Sequence, residues 1–263
     1  LPRAIDIDVD GSSRLYLADW RNGGFDFAGP GKPVGMIHQV TYPKLPRARY
    51  VNVRSANDNA LVELLASPSA VQRLEAQREI LKRGKKPAFA NSIFAIVSNV
   101  NLAVSARAAA IFTFKQLYGT DGTRYLAEFP MDAAVREFVL RAMTDSLKEL
   151  DGVPVKPYLD GLKDENPRVV LQSLVGLQRM NAKSSAAAIL EEAGGSPRLE
   201  HTAMQVLASL ENVPACLTAV GDPAARKLAL LALQRIHETE TVDGLVSIFN
   251  SSQDPELRFV ILR

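Results

Sequence analysis

The hydrophobic pattern of the chain changes its period near residue 58. Before that point apolar and polar residues alternate, as in "IDIDVD" (5–10), "LYLADW" (15–20) and "MIHQVTY" (36–42), which is typical of β-strands. After it, amphipathic stretches of roughly 10 to 16 residues alternate with Pro, Gly, Asn and Asp. We therefore predict an antiparallel β segment over 1–43, a connector over 44–57 and a mainly α body over 58–263.

The helical body contains an internal repeat. When the second helix of each predicted pair is aligned, one column holds arginine in five of seven repeats: Arg73, Arg107, Arg136, Arg226 and Arg258. Three positions later most repeats have a small residue, and seven positions later a large apolar one, so that neighbouring helices can pack closely. The first helices are predicted at "ALVELLA", "SIFAIVSNV", "TRYLAEF", "VKPYLDGL", "AAAILEEA", "PACLTAV" and "VDGLVSIF". We predict about seven helical hairpins, stacked as an α-solenoid because no single hairpin can bury its apolar face.

Helix starts recur with the repeat. Ser, Asn or Asp precedes Pro in "SPSA" (67–70), "NPRV" (166–169), "SPRL" (196–199), "DPAA" (222–225) and "DPEL" (254–257). The first residue of each motif is a predicted N-cap, and Pro suits the first helical position because its missing N–H has no helical partner there.

These features, Asp-Pro before a second helix, then Arg, then Ala three residues on, resemble HEAT and armadillo-like repeats over residues 58–263. The resemblance implies that the column arginines pair with turn aspartates or carbonyls inside the stack. A phosphate-binding column is the alternative interpretation.

The opening stretch suggests two interpretations. Three aspartates match the first half of an EF-hand loop: Asp6, Asp8 and Asp10. However, position 12 of that loop is Leu17, which offers no oxygen to calcium, and no helix precedes it. The alternation instead predicts a β-hairpin with an apolar and an acidic face, turning at "DGSS". A calcium site completed by oxygens from elsewhere remains an alternative.

The segment "AIDIDVDGSSRLYLADWRNGGFDFAGPGKPVGMIHQV" (4–40) resembles the last blade of a bacterial six-bladed β-propeller of the sugar-dehydrogenase type. The arrangement of the chain is similar to that of a group of large bacterial membrane-bound dehydrogenases or haem-binding proteins, which run propeller, HEAT-like repeats and cytochrome c domain. The resemblance implies an exported, periplasmic protein with haem in a downstream domain. This chain has no Cys-x-x-Cys-His, so no cofactor is expected in it. One blade cannot supply a quinone or metal site, so no catalytic residue is carried over.

The composition of the chain excludes several kinds of site and identifies no activity. The single cysteine, Cys216, rules out an internal disulfide, and the net charge of +2 creates little long-range field. No apolar run approaches the roughly 20 residues of a membrane span. The three histidines lack metal-binding spacing, and no nucleotide-binding or hydrolase motif is present. The chain starts at Leu1 and stops at "RFVILR" within an apolar helix, so we expect a fragment of a longer protein.

Basic residues concentrate near the connector. No acidic residue occurs between Asp26 and Asp58, and a second basic cluster follows. The candidate basic surface comprises Arg47, Arg49, Arg54, Lys82, Arg83, Lys85 and Lys86. Such residues near aromatic rings can bind a nucleic-acid backbone, and HEAT-like DNA glycosylases show that a solenoid of this kind can hold DNA. Alternatively they form an interdomain seam or an ordinary solvated surface, since helix C-termini attract cations.

Two functional hypotheses follow. In the first, the chain is a non-catalytic scaffold in a larger redox protein, contacting proteins or its own neighbouring domains through a concave face. In the second, it is a free-standing HEAT-like module that binds protein or nucleic acid. Under the first, residues 1–43 should pack on the first helical hairpins or on a neighbouring copy.

Overall fold

The computed structural model describes residues 3–20, 35–41, 44, 49–129, 132–193 and 197–262. This part of the chain is mainly α-helical, with a small antiparallel sheet at the N-terminus. Residues divide into two compact units, 1–118 and 119–263. These units do not coincide with the domain boundaries predicted from the sequence at residues 43 and 57. Those domain boundaries stay a prediction.

The sheet has three strands: β1 (Arg3–Val9), β2 (Leu15–Trp20) and β3 (Gly35–Val40). The order is β1-β2-β3, and both pairings are antiparallel. Ile7 lies opposite Leu17, which lies opposite His38, so one face is largely apolar. The predicted hairpin is therefore present, with a register irregularity between Ala4 and Asp6.

The first unit also contains four helices: α1 (Asp58–Leu64), α2 (Ala70–Arg83), α3 (Pro87–Ser98) and α4 (Val104–Tyr118). α1 packs on α2 and α3 on α4; in addition α1 contacts α3 and α2 contacts α4. Fully buried apolar side chains fill these contacts, among them Ala76, Ile80, Phe89, Ile93 and Ile111.

The second unit contains ten described helices. They are α5 (Thr120–Glu128), α6 (Arg136–Met143), α7 (Lys156–Gly161), α8 (Pro167–Arg179), α9 (Ala186–Ala193), α10 (Glu200–Leu210), α11 (Val213–Ala219), α12 (Arg226–Leu233), α13 (Thr239–Ser251) and α14 (Pro255–Leu262). Each odd-numbered helix packs on the next, which makes the pairs predicted from sequence. Contacts also run from α6 to α8, α10 and α12 in turn, and from α9 to α11 and α13. All seven predicted first helices are present.

Some of the predicted helix starts are confirmed by the structure and others are not. Asn166 caps α8 through its side chain and Pro167 follows, as predicted. Asp254 likewise accepts from the backbone N–H of Glu256 at the start of α14. Asp222 accepts from Ala224 in the same way, although α12 itself begins at Arg226. The prediction at "SPRL" falls on Ser196, which lies outside the described residues.

The prediction at "SPSA" is wrong by two residues. α2 is capped by Ser69 rather than Ser67, and begins at Ala70. Ser67 instead contacts the Gln72 side chain and accepts from the Ser69 backbone. The stretch Ser67-Pro68-Ser69 offers two capping serines, and the hydrogen bond of Ser69 to the β-hairpin favours the second.

The turn of the β-hairpin is hydrogen-bonded to α2 of the first helical pair. The carbonyl of Gly11 accepts hydrogen bonds from Ser69 Oγ (3.2 Å) and Gln72 Nε2 (3.0 Å) on α2. Gly11 also lies against Tyr50 of the connector, where any Cβ would overlap the ring. Glycine is therefore needed here for close approach.

Candidate functional site

A cavity of about 470 Å³ lies between the connector and α2, within the first unit. Its charged wall comes mostly from one helix face, because positions three, four and seven residues apart lie on the same side of a helix. That face carries Glu75, Arg78, Glu79 and Lys82, and the connector adds Arg54 opposite.

The connector is held at both ends of α2. At the first turn Gln72 Nε2 donates to the carbonyl of Arg49 at 2.6 Å. At the last turn Arg83 Nη2 donates to the carbonyls of Val53 and Arg54. Asn52 closes a local turn by accepting from the Arg54 backbone N–H. These bonds hold the connector in place, and Arg54 of the connector forms one wall of the cavity.

An ion-pair network closes the C-terminal end of α2. Arg83 contacts Glu79 and Asp58, each at 2.9 Å, and Lys86 contacts the second oxygen of Asp58 at 2.7 Å. Hydrogen bonds from Lys86 and Arg83 lower the pKa of Asp58 below its usual value. Hydrogen bonds to Asp58 and Glu79 correspondingly raise the pKa of Arg83.

This network places the residues of the candidate basic surface in different surroundings. Arg83 pairs with Asp58 and Glu79, and Lys86 pairs with Asp58. Both cations therefore stabilise the fold of the first unit. Arg54 and Lys82 line the cavity, whereas Arg49 lines a different one beside Ser67 and Pro68. Lys85 is exposed. Arg47, the remaining predicted member, lies outside the described residues.

Four groups in the cavity have unused bonding capacity. The side chains of Arg54, Arg78 and Lys82 are exposed and make no hydrogen bond or ion pair within the described part of the chain. Oε2 of Glu75 is buried and accepts no hydrogen bond from any described residue. Arg78 and Glu75 were missed at the sequence level, although their spacing from Lys82 along one helix face was a usable signal.

The three N-terminal aspartates serve the sheet locally. Asp10 Oδ1 accepts from the backbone N–H groups of Arg14 and Ser12, both at 2.9 Å, which lowers the pKa of Asp10. Asp6 and Asp8 each accept from the N–H of the following residue. Across the described ranges, no three His, Cys, Asp or Glu side chains form a group that could hold a metal ion. The calcium alternative therefore gains no support.

Three column arginines donate to carbonyls at the C-terminal end of the preceding helix or in the turn that follows it. Arg73 Nη1 reaches the carbonyl of Ser67 (2.7 Å), Arg107 Nε that of Val97 (2.8 Å) and Arg226 Nε that of Val220 (3.0 Å). Such bonds satisfy C-terminal carbonyls that have no partner inside their own helix.

Two of the five also reach the next repeat. Arg136 pairs with Asp164, and Arg226 lies 4.0 Å from Asp254; both aspartates precede the second helix of the following pair. Arg258 instead stacks its guanidinium over the Phe249 ring at 4.3 Å. These contacts stabilise the packing of the helices. No observation on the described residues favours the interpretation of the arginine column as a phosphate-binding site.

Cys216 is buried, and burial raises the pKa of its thiol to about 11, as suits a small apolar core residue. On the sheet, His38 contacts the buried carboxylate of Asp19, which also accepts from the Met36 backbone.

Among the helices that the structure describes, none has the length and apolar character needed to cross a bilayer. Comparison of the chain with models of known protein families and with curated proteins finds no match.

Proposed function

We propose that this chain is a non-catalytic scaffold, an α-solenoid of HEAT-like helical pairs that holds a protein partner or neighbouring domains of the same polypeptide. One observation carries the proposal: within each unit, helices contact their counterparts in the next pair in chain order, α2 with α4, and α6 through α8 and α10 to α12. Stacking of this kind buries apolar faces that no pair can bury alone.

The column arginines support the same proposal. Arg136 and Arg226 sit at equivalent positions and contact aspartates at equivalent positions of the next pair. A repeated contact between successive pairs is expected of a solenoid, in which each repeat is stabilised mainly by its neighbours.

We further propose, from the sequence resemblance, that the scaffold belongs to an exported bacterial redox protein of dehydrogenase type. In that protein haem would be bound by a cytochrome c domain elsewhere in the polypeptide. The apolar sheet face supports this, since Ile7, Met36 and Val40 are 60%, 51% and 46% exposed. A neighbouring propeller blade would cover them.

The redox context is tested by expressing the complete reading frame and recording its haem absorbance and its dye-linked oxidation of sugars or alcohols. We expect a haem spectrum from the complete polypeptide and neither property from residues 1–263 alone. A complete reading frame without Cys-x-x-Cys-His would overturn the redox context and leave the scaffold proposal standing.

The repeat organisation is tested by hydrogen exchange on a Leu207→Ala variant, which opens a cavity at a fully buried position of α10. Stabilisation by neighbours predicts faster exchange in α8 to α12 and little change in α1 to α4. A uniform increase along the chain would contradict a solenoid of nearest-neighbour contacts.

Nucleic-acid binding is the second candidate, because Arg54, Arg78 and Lys82 have no ionic partner in the described structure. Fluorescence anisotropy with a labelled oligonucleotide tests it at two salt concentrations. Binding that falls steeply with salt would favour this function over a protein scaffold. We expect no binding at physiological salt, since Glu75 and Glu79 share the same surface.

A further inference from the structure

We propose that the cavity between the connector and α2 binds a small amino-dicarboxylate, a zwitterion with one ammonium and two carboxylate groups. The ammonium would donate to Glu75, and the carboxylates would accept from Arg54 and Arg78. This inference goes beyond the scaffold function and does not depend on it, because it rests on the side chains of one cavity.

The buried oxygen of Glu75 identifies the cationic half of the ligand. Oε2 of this residue is removed from water and receives no hydrogen bond within the described chain. A carboxylate oxygen in that state costs free energy unless a donor reaches it. Glu75 lines the cavity and has no ion pair with any described residue, so an ammonium group there would supply the opposite charge to the carboxylate as a whole.

The neighbouring cations identify the anionic half. Arg54 and Arg78 each present a planar guanidinium that can bind a carboxylate through two parallel hydrogen bonds. Lys82 adds a third positive charge at the edge of the same cavity. Glu79 does not neutralise them, because its carboxylate is already paired with Arg83.

The charge balance selects against simpler ligands. Inorganic phosphate or a nucleic-acid backbone could bind to the arginines. Its negative charge would, however, repel the carboxylate of Glu75. A metal cation would suit Glu75 but would be repelled by Arg54, Arg78 and Lys82. Only a ligand that carries both signs uses all of the unpaired groups.

The size and shape of the cavity fit such a molecule. Its volume of about 470 Å³ lies within the roughly 300–1,000 Å³ common for small-molecule sites. The ring of Tyr50 lines the same cavity and is 51% exposed. It offers an apolar surface for the methylene groups between the two carboxylates.

Isothermal titration calorimetry on the whole chain tests the proposal, with L-glutamate as the probe. We expect saturable binding that weakens about tenfold or more in Glu75→Gln and in Arg78→Gln, since each loses a charge-assisted hydrogen bond. Glu63→Gln is the matched control, an exposed glutamate of α1 that does not line this cavity; its affinity should equal that of the unmodified protein.

A ligand series on the unmodified protein keeps the test independent of any variant that fails to fold. Glutarate and N-acetyl-L-glutamate lack the ammonium group and should bind at least about tenfold more weakly than L-glutamate. Equal affinity for glutarate would overturn the role of Glu75. Phosphate or an oligonucleotide binding more tightly than L-glutamate, or no heat with about 10 mM L-glutamate, would overturn the proposal.

Discussion

Gln72 on α2 donates a hydrogen bond to the carbonyl of Gly11, with Nε2 and O 3.0 Å apart, and so joins the β-hairpin to the first helical pair. The same amide nitrogen lies 2.6 Å from the carbonyl of Arg49. One buried side chain therefore fixes the sheet and the connector on α2, since Gln72 is only 2% exposed.

Replacing Gln72 by Ala should lower the free energy of unfolding of the first unit by about 1–3 kcal/mol, because two carbonyls lose a donor in a poorly hydrated site. Urea unfolding and hydrogen exchange at residues 10–14 would measure the loss. Gln77→Ala on the same helix is the control, since its bond to Gln116 is exposed, and should cost under about 0.5 kcal/mol. Equal losses in both variants would contradict the joining role.

Alanine at position 11 should cost stability as long as the Tyr50 ring is present. The added Cβ overlaps that ring, so Gly11→Ala should cost about 1 kcal/mol in the native background. In a Tyr50→Ala background the same change should cost much less. A double-mutant cycle by thermal unfolding measures this coupling; additive costs would show that the ring moves aside freely.

The pair between Arg136 and Asp164 should couple successive helical pairs. Asp164 is only 10% exposed at its side chain and also accepts from the backbone of Asn166. A double-mutant cycle of Arg136→Gln with Asp164→Asn should give a coupling energy of about 0.5–3 kcal/mol.

The exposed pair of Lys156 and Asp160 is the matched control for that cycle, with side chains 80% and 64% exposed. Its coupling should stay at about 0.5 kcal/mol or below, because water screens it. A coupling at Arg136 no larger than this would remove the argument that the repeated arginine contact stabilises the stack.

Asp58 should contribute to acid sensitivity. Lys86 and Arg83 lower the pKa of Asp58 in the folded state below the ordinary value of 3.8. A depressed folded pKa adds stability above the unfolded pKa, and that stability is lost as pH falls from about 4 through the folded value.

Asp58→Asn should therefore reduce stability at neutral pH and flatten the acid limb of a plot of urea midpoint against pH between about 2 and 6. Asp121→Asn, which removes an exposed carboxylate paired with Arg124 in the second unit, serves as a control for the change in net charge. A parallel downward shift of the Asp58→Asn curve, with an unchanged acid limb, would contradict the linkage.

Local features could be predicted from the sequence. Asn166-Pro167 and Asp254-Pro255 start helices as expected because a cap and its N–H partner lie two residues apart, so no distant contact is needed. The alternation in residues 5–9 and 15–20 likewise sets the two faces of the hairpin, since side chains in a strand point to opposite sides in turn. The helical pairs could be predicted because each apolar stripe repeats at a nearly constant spacing.

What the sequence by itself determined is thus the period, the helix starts at Asn166 and Asp254, and the pairing of helices. The tertiary structure decided which charges remain available. Arg83 and Lys86 resemble Lys82 in sequence, but Asp58, at the start of α1, pairs with both of them, whereas Lys82 has no ionic partner among the described residues. The candidate site arises in the same way, since Glu75 and Arg54 lie on separate segments that the hydrogen bonds of Gln72 and Arg83 help to hold together. Electrostatic pairing depends on distance in space, and chain folding sets that distance.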